Sequence, residues 1–148
     1  MTSAPLEIPV LRLDPDLAVP ERIRAGDAAV DLPAREDGVI NPGMRLLVPT
    51  GFAIAVPLGA CALVLPRSGL ALNHGVTVMN APGLIDSGYR GEIKVILLNL
   101  GDEPFVFERG QRVAQLLALP LPGFMLVASS ELPPSPDDRG TSGFGSSG

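Results

Sequence analysis

The sequence predicts an all-β domain, built as a sandwich or barrel of short strands. Its 148 residues include 16 prolines and 17 glycines, which interrupt the chain so often that few helices of ordinary length fit between them. Short apolar or alternating runs recur between turn residues, at the spacing typical of β sandwiches and barrels. With 46% apolar residues, one domain of this length can build a core.

The predicted strands are the apolar and alternating runs, at residues 8–13, 44–48, 52–56, 60–65, 92–100, 105–108, 113–119 and 124–127. Turns are predicted where Pro, Gly, Asn and Asp cluster, at residues 41–43, 57–59 and 100–102. Residues 109–119 have the best helical pattern, but they lack a capping residue and are rich in Leu and Val. We therefore expect a turn followed by a strand there.

The composition changes abruptly after Leu132, where Pro, Gly, Ser and charged residues replace the apolar ones. Phe144 is the only large apolar residue from 133 to 148, so this segment cannot bury enough surface to order itself. We expect a β domain over residues 1–132 and a flexible C-terminal arm over residues 133–148.

The charge and the cysteine content argue against several kinds of site. A net charge of −5 disfavours a nucleic-acid surface, which usually draws on a basic patch. The single cysteine, Cys61, allows neither an intrachain disulfide nor a multi-cysteine metal site. The chain has no leader-like start and no apolar run of about 18 residues. We expect a cytoplasmic protein with no membrane and no nucleic-acid partner.

Five segments carry charged or hydroxyl side chains within a mainly apolar chain, and all but the first contain glycine: residues 27–34 (DAAVDLPA), 66–71 (PRSGLA), 79–94 (MNAPGLIDSGYRGEIK), 109–117 (RGQRVAQLL) and 139–148 (RGTSGFGSSG). In the last of them, Arg139, Ser146, Ser147 and successive backbone N–H groups could surround phosphate oxygens. Phe144 could stack on a flat base. The alternative for this segment is an ordinary disordered terminus.

The third segment places a carboxylate and an aromatic ring on one tight loop, because Asp86 lies three residues before Tyr89. A carboxylate there can orient a water for attack. An ordinary hairpin whose Asp caps the turn has the same pattern. Asp27 and Asp31 could bind a cation or be solvated turn residues. The only histidine, His74, lies in a turn-like context, and we interpret it as structural.

Taken together, in this order and at these intervals, the five segments resemble the five motifs of the trimeric dUTP diphosphatase (dUTPase) family. The resemblance runs from about residue 27 to residue 148, and the IDSGYRGEIK core of the third segment is nearly diagnostic. It implies a jelly-roll-like, β-clip barrel subunit and a homotrimer with active sites shared between subunits. It also implies Mg2+-dependent hydrolysis of dUTP, which limits uracil incorporation into DNA and supplies dUMP for dTMP synthesis.

The resemblance implies roles for single residues as well. Asp86 would be the general base on the water that attacks the α-phosphate. Tyr89 would pack on the deoxyribose and leave no room for a 2′-hydroxyl, while Asp31 would touch the magnesium ion through water. Phe144 would cover the uracil. The other substrate-binding residues would be Asn80, Leu84 and Ile85 in the uracil pocket with Lys94 nearby, and Arg67, Ser68, Gly69, Gln115, Arg139, Ser146 and Ser147 on the phosphates.

The sequence departs from the family pattern at Ala29, where glycine is usual, at Pro33, where an aromatic residue is common, and at Gln111, where an acidic one is common. A side chain at a position that needs positive φ costs about 1–2 kcal/mol. Two other functions stay open on sequence alone. One is a dCTP deaminase or a bifunctional deaminase and diphosphatase, and the other is a dUTP-binding protein without catalysis.

Overall fold

A computed structural model describes residues 5–137 and 139–143 of the chain. One short helix, α1 (Ser68–His74), lies among strands that pair antiparallel throughout this part of the chain. The strands are β1 (Val10–Arg12), β2 (Val30–Pro33), β3 (Gly38–Ile40), β4 (Arg45–Ile54), β5 (Ala60–Leu65), β6 (Val76–Val78), β7 (Gly83–Ile85), β8 (Glu92–Asn99), β9 (Phe105–Phe107) and β10 (Arg112–Pro120). The predicted all-β fold class is confirmed.

Two four-stranded sheets carry the fold, with strand orders β1-β4-β8-β6 and β2-β10-β5-β7, and β3 pairs separately with β9. Along β8 the side chains alternate, and Ile93, Val95 and Leu97 are buried. They belong to one core with Val64 of β5 and Val113 of β10, so the core lies between the two sheets. This packing is the jelly-roll-like arrangement. No helix in the described part of the chain is long and apolar enough to cross a membrane.

Strand β4 joins two runs that the sequence predicts as separate strands, 44–48 and 52–56. The pairing with β8 shifts register after Pro49, which has no N–H to donate. In the irregular part, Thr50 Oγ1 donates to the Ile93 carbonyl at 2.7 Å and Gly51 N–H donates to Glu92 Oε1 at 2.9 Å. Because these side-chain bonds replace ladder bonds, the strand continues instead of turning.

The prediction of a strand at residues 124–127 is wrong, because this described segment forms no strand. This segment has no strand partner among the described residues, and Phe124 and Leu126 are 86% and 95% exposed. The sequence also does not predict α1 or the short strands β2, β3, β6 and β7. The helix has only seven residues, and strands of three or four residues are too short for a recognisable alternation. Helix α1 ends at Gly75, whose φ of 66° lets its N–H reach the Ala71 and Leu70 carbonyls.

A charge network ties the segment after β1 to the rest of the fold. Asp14 Oδ2 accepts a hydrogen bond from Arg109 Nη2 at 2.7 Å and lies 3.7 Å from Arg35 Nε. Arg35 also contacts Glu92 Oε1 at 3.4 Å. Burial alone raises the pKa of Asp14, but hydrogen bonds from Arg109 and the Asp16 N–H, with the two arginine charges, hold that pKa below its ordinary value.

Asp14→Asn should lower Tm at about pH 7, and its difference from the unmodified chain should shrink as the pH falls below about 4. A carboxyl whose pKa is lowered by folding stabilises the fold above its unfolded pKa. That contribution is lost as the pH falls through the folded pKa. Thermal unfolding of both proteins across this range measures the effect, with Asp102→Asn on an exposed turn as the control. A pH-independent difference would contradict the assignment.

Candidate active site

Strand β10 brings three of the five polar segments together at one end of its sheet, namely the first, the second and the fourth. Gln115 on β10 lies opposite Asp31 on β2 and, across its other edge, opposite Leu65 on β5. From Leu65 the chain continues to Arg67 and enters α1 at Ser68. Directly opposed residues of antiparallel strands point to the same face. The side chains of Gln115 and Asp31 therefore face the same side as the turn into α1.

Arg67 links these segments. Its Nε donates to Asp31 Oδ1 at 2.9 Å and its Nη1 donates to the Arg112 carbonyl at 3.1 Å. Arg112 Nη1 lies 3.6 Å from the other Asp31 oxygen, and Gln115 Nε2 donates to the Pro66 carbonyl at 2.8 Å. The Arg67 and Asp31 side chains are 32% and 24% exposed, so solvent reaches both. Because two guanidinium groups oppose one carboxylate, a positive charge remains for an anionic ligand.

Ser68 and Gly69 form the first turn of α1, and both are exposed. Backbone N–H groups in the first turn of a helix have no partner within it, so they can meet ligand oxygens. Arg112 is the residue of this cluster that sequence reasoning missed. It lies in the fourth segment, but a bulge between Arg112 and Ala114 sets its direction, and spacing alone does not reveal a bulge.

A cavity of about 350 Å³ adjoins this cluster, and Asp31 and Gln115 line it together with Asp27. Asp27 Oδ2 accepts the Arg24 N–H at 2.9 Å, so this carboxylate closes a local turn. Within the described residues, no group of three or more His, Cys, Asp or Glu could hold a metal ion. Protein groups alone therefore form no metal cage around Asp31.

The third segment forms a separate pocket of about 340 Å³, at the small end of the range for small-molecule sites. Strand β7 lies against β5 with Gly83 opposite Val64. A Cβ on Gly83 would stand 3.3 Å from both the Val64 Cβ and Asn80 Nδ2, so a larger residue would crowd the wall of the pocket. The pocket lining includes the predicted residues Asn80, Leu84, Ile85, Tyr89 and Lys94.

The loop after β7 holds Asp86 and Tyr89 at a fixed separation. Tyr89 N–H donates to the Asp86 carbonyl at 3.1 Å, which closes a turn. Arg90 Nη1 donates to the Ser87 carbonyl at 2.6 Å and to the Tyr89 carbonyl at 2.9 Å. Arg90 is thus a positioning residue that sequence reasoning missed. The Asp86 side chain is exposed, immediately after the pocket residue Ile85.

Within one chain, the Asp86 loop and the Arg67 cluster lie far apart. Ile85 pairs with Ala62, whereas Asp31 and Gln115 lie level with Leu65, at the other end of β5. Strand β2 is also three strands away from β7. At about 3.3 Å per residue and 4.8 Å per strand, Asp31 and Asp86 are roughly 20 Å apart. A single chain therefore does not bring the predicted base to the predicted phosphate ligands.

The described part of the C-terminal segment, residues 133–137 and 139–143, adds no contact to either group. Arg139 N–H donates to Asp137 Oδ1 at 2.9 Å, and this bond together with one from Ser135 lowers the pKa of Asp137. Arg139 Nε donates to the Ser142 carbonyl at 3.4 Å. The structure thus places Arg139 in a local turn. The predicted residues Phe144, Ser146 and Ser147 lie outside the described part of the chain.

Gln111 and Pro33, two of the departures from the family pattern, have local explanations. Gln111 Oε1 accepts the Glu108 N–H at 3.3 Å, and Gln111 N–H donates to the Glu108 carbonyl at 3.0 Å, so the glutamine closes the turn before β10. Pro33 ends β2 beside the β10 bulge, where a ladder donor is dispensable. Nothing in the structure explains Ala29. His74 packs on Phe105, with ring centroids 5.2 Å apart, as expected for a structural residue.

Comparison with known proteins gives similarities in both sequence and fold. A family profile for dUTPase matches residues 16–148. The chain is 50% identical over 146 residues to the deoxyuridine 5'-triphosphate nucleotidohydrolase of Rhodococcus erythropolis, covering 97% of this chain and 87% of that relative.

Solved structures of phage proteins share the fold. The Staphylococcus bacteriophage 80alpha dUTPase with dUPNHPP superposes with a TM-score of 0.86 at 27% identity, over 96% of this chain and 98% of that one. A mutant dUTPase from phage phi11 of S. aureus, whose structure details the coordination of a structural Mg(II) ion, gives a TM-score of 0.77 at 22% identity, over 84% and 97%.

Proposed function

We propose that Asp86 is the general base of this chain, which belongs to the dUTPase family and hydrolyses dUTP to dUMP and pyrophosphate. The active site would be shared between subunits of a homotrimer. The observation that carries the proposal is the single pocket of about 340 Å³ that collects Asn80, Tyr89 and Lys94 beside the Asp86 loop. A cytoplasmic location remains a prediction of the sequence.

In this mechanism the pocket holds the uracil and the sugar, and Asp86 orients a water toward the α-phosphorus. A bond forms between the water oxygen and phosphorus as the bond to the bridging oxygen of the β-phosphate breaks, and pyrophosphate leaves. The water proton passes to the Asp86 carboxylate. The hydrogen bonds of Arg90 support this role, because they fix the loop that carries both the base and Tyr89.

The Arg67 cluster is suited to the phosphate chain. Arg67 is only partly satisfied by Asp31 and is exposed enough for a bidentate contact with phosphate oxygens. Gln115 and the first-turn residues Ser68 and Gly69 would add uncharged donors. Binding there would hold the leaving pyrophosphate in line for displacement.

The Asp31 carboxylate, as the only proposed protein contact, fits a magnesium ion that is held mainly by the triphosphate. Asp31 is the metal contact we propose, and its Oδ1 already accepts from Arg67, so it would reach the ion through water. Magnesium gives up its water ligands reluctantly, which favours such indirect contact. When bound, the ion would neutralise phosphate charge. The structural Mg(II) ion of the phi11 protein supports a metal in this fold.

Assembly of subunits is supported by two features of the single chain. The roughly 20 Å between Asp31 and Asp86 exceeds what one triphosphate group spans, so the two clusters would have to come from different subunits. In addition, Phe124, Met125, Leu126 and Val127 form an exposed apolar run. A neighbouring subunit would remove that run from water.

The arm is proposed to complete the site. Residues 1–132 would form the β domain, and residues 133–148 would close over a neighbouring nucleotide. Arg139, Ser146 and Ser147 would bind the outer phosphates, and Phe144 would cover the uracil. Because these contacts need a base and a triphosphate together, dUMP should engage the arm poorly.

Asp86→Asn should lower kcat by at least roughly a hundredfold, because the amide keeps the shape of the carboxylate but cannot accept the water proton. Affinity for a non-hydrolysable α,β-imido analogue of dUTP should change little. Pyrophosphate release and equilibrium binding measure the two quantities, with Asp102→Asn as the control. Turnover near that of the unmodified protein would exclude Asp86 as the base.

Truncation after Asp138 should leave the oligomer and its Tm nearly unchanged and lower kcat by at least roughly tenfold, equivalent to about 1.4 kcal/mol of transition-state stabilisation. The physical reason is that arm contacts would exclude water and align the phosphates, which acts on turnover more than on folding. Steady-state kinetics and sizing of both proteins provide the test. Undiminished turnover in an intact oligomer would show that the arm plays no part.

A further inference from the structure

The ring of Tyr89 folds back over the backbone of its own loop, at Gly91. A Cβ built on Gly91 would lie 2.5 Å from Tyr89 Oη and 2.7 Å from Cζ, closer than packed atoms approach. Gly88, on the other side of Tyr89, would have nothing within 4 Å of a Cβ. Of the two glycines that flank the tyrosine in sequence, only Gly91 makes room for the ring.

The same ring is tethered at its far end. Tyr89 Oη donates to the Glu92 carbonyl at 2.8 Å. The Glu92 carboxylate in turn accepts the Gly51 N–H at 2.9 Å and contacts Arg35, which ties the start of β8 to β4. The acceptor for the tyrosine hydroxyl is therefore a fixed point of the sheet. The ring lies between this anchor and the pocket that it lines.

We propose that Gly91 is a specificity-determining residue for the sugar of the substrate. Its missing side chain lets the Tyr89 ring lie back on the loop, and the Glu92 carbonyl holds the ring there, in the position where a 2′-hydroxyl meets it. The inference rests on the proposed function, in which Tyr89 packs on the deoxyribose. A methyl group at residue 91 would push the ring off its anchor and loosen the selection of dUTP over UTP.

The clash would fall on the end of a side chain that is 45% exposed, not on backbone. The ring can therefore swing aside while the loop keeps its course, since Gly91 does not have a positive φ that would strain an alanine. Gly91→Ala should accordingly keep the Tm and the oligomer of the unmodified protein. Its effect should be confined to the ring and to substrates that touch it.

The test compares kcat/KM for dUTP and UTP in the unmodified protein, Gly91→Ala and the matched control Gly88→Ala. We expect the dUTP-to-UTP ratio to fall by about tenfold or more in Gly91→Ala, mainly because kcat/KM for UTP rises once the ring leaves the position that the 2′-hydroxyl meets, and to stay unchanged in Gly88→Ala. Tyr89 is the only tyrosine and the chain has no tryptophan, so near-ultraviolet circular dichroism and tyrosine fluorescence report this ring directly. Both signals should change in Gly91→Ala alone.

An unchanged ratio in Gly91→Ala would overturn the inference while hydrolysis of dUTP by the unmodified protein leaves the proposed function standing. Equal use of dUTP and UTP by the unmodified protein would instead refute the proposed sugar pocket. If Gly91→Ala does not assemble, Tyr89→Phe tests the tether, because it keeps the ring and removes the bond to Glu92. The ratio should then fall by about fivefold, the effect of one hydrogen bond, and an unchanged ratio would again overturn the inference.

Discussion

Strand β10 is hydrogen-bonded along both edges, and the cluster proposed to bind phosphate depends on that double pairing. On one side it fixes Gln115 against Asp31, and on the other it fixes Gln115 against Leu65, two residues before Arg67. A slip of one residue would turn Gln115 to the opposite face and leave Arg67 without its carboxylate. The bulge at Val113 also contributes to the site. It buries the consecutive residues Val113 and Ala114, and it lets Arg112 approach Asp31.

The half proposed to bind the uracil is built differently, from a loop that is held by its own hydrogen bonds. The turn from Asp86 to Tyr89, the two bonds of Arg90 and the tether to Glu92 are all local in sequence. Such a loop keeps its shape whichever surface lies opposite it, as the proposed site shared between subunits requires. The two halves thus have separate scaffolds, one set by the sheet and one by the loop.

The sequence predicts the long strands well and the short elements poorly, for a physical reason. Strand β8 alternates over eight residues, and β5 and β10 are apolar runs of six and nine residues, whereas β3 and β7 offer only three residues each. The irregular centre of β4 could not be foreseen, since its bonds come from Thr50 and Glu92, and Glu92 lies 41 residues along the chain from its partner Gly51. The apolar run 124–127 predicts a strand, but no described strand pairs with it, so it stays outside the sheets.

For the site, motif order predicted which residues belong together, but not how far apart one chain holds them. Asn80, Tyr89 and Lys94 line one pocket in the structure, and their contact with substrate stays a prediction. Spacing could not reveal Arg112 or Arg90, because their roles depend on a bulge and on carbonyls of a closed turn. It also could not reveal the distance between Asp31 and Asp86, which depends on sheet order.

The most direct test of a site shared between subunits is complementation between two inactive variants, one Arg67→Met and one Asp86→Asn. Each is carried on a differently tagged chain, and mixed oligomers are isolated through both tags after co-expression. If the phosphate cluster of one subunit works with the Asp86 loop of the next, about one site in three of each mixed trimer has both residues intact, and dUTP hydrolysis returns to about a third of the unmodified level. Activity no higher than that of the separate variants would contradict a site shared between subunits.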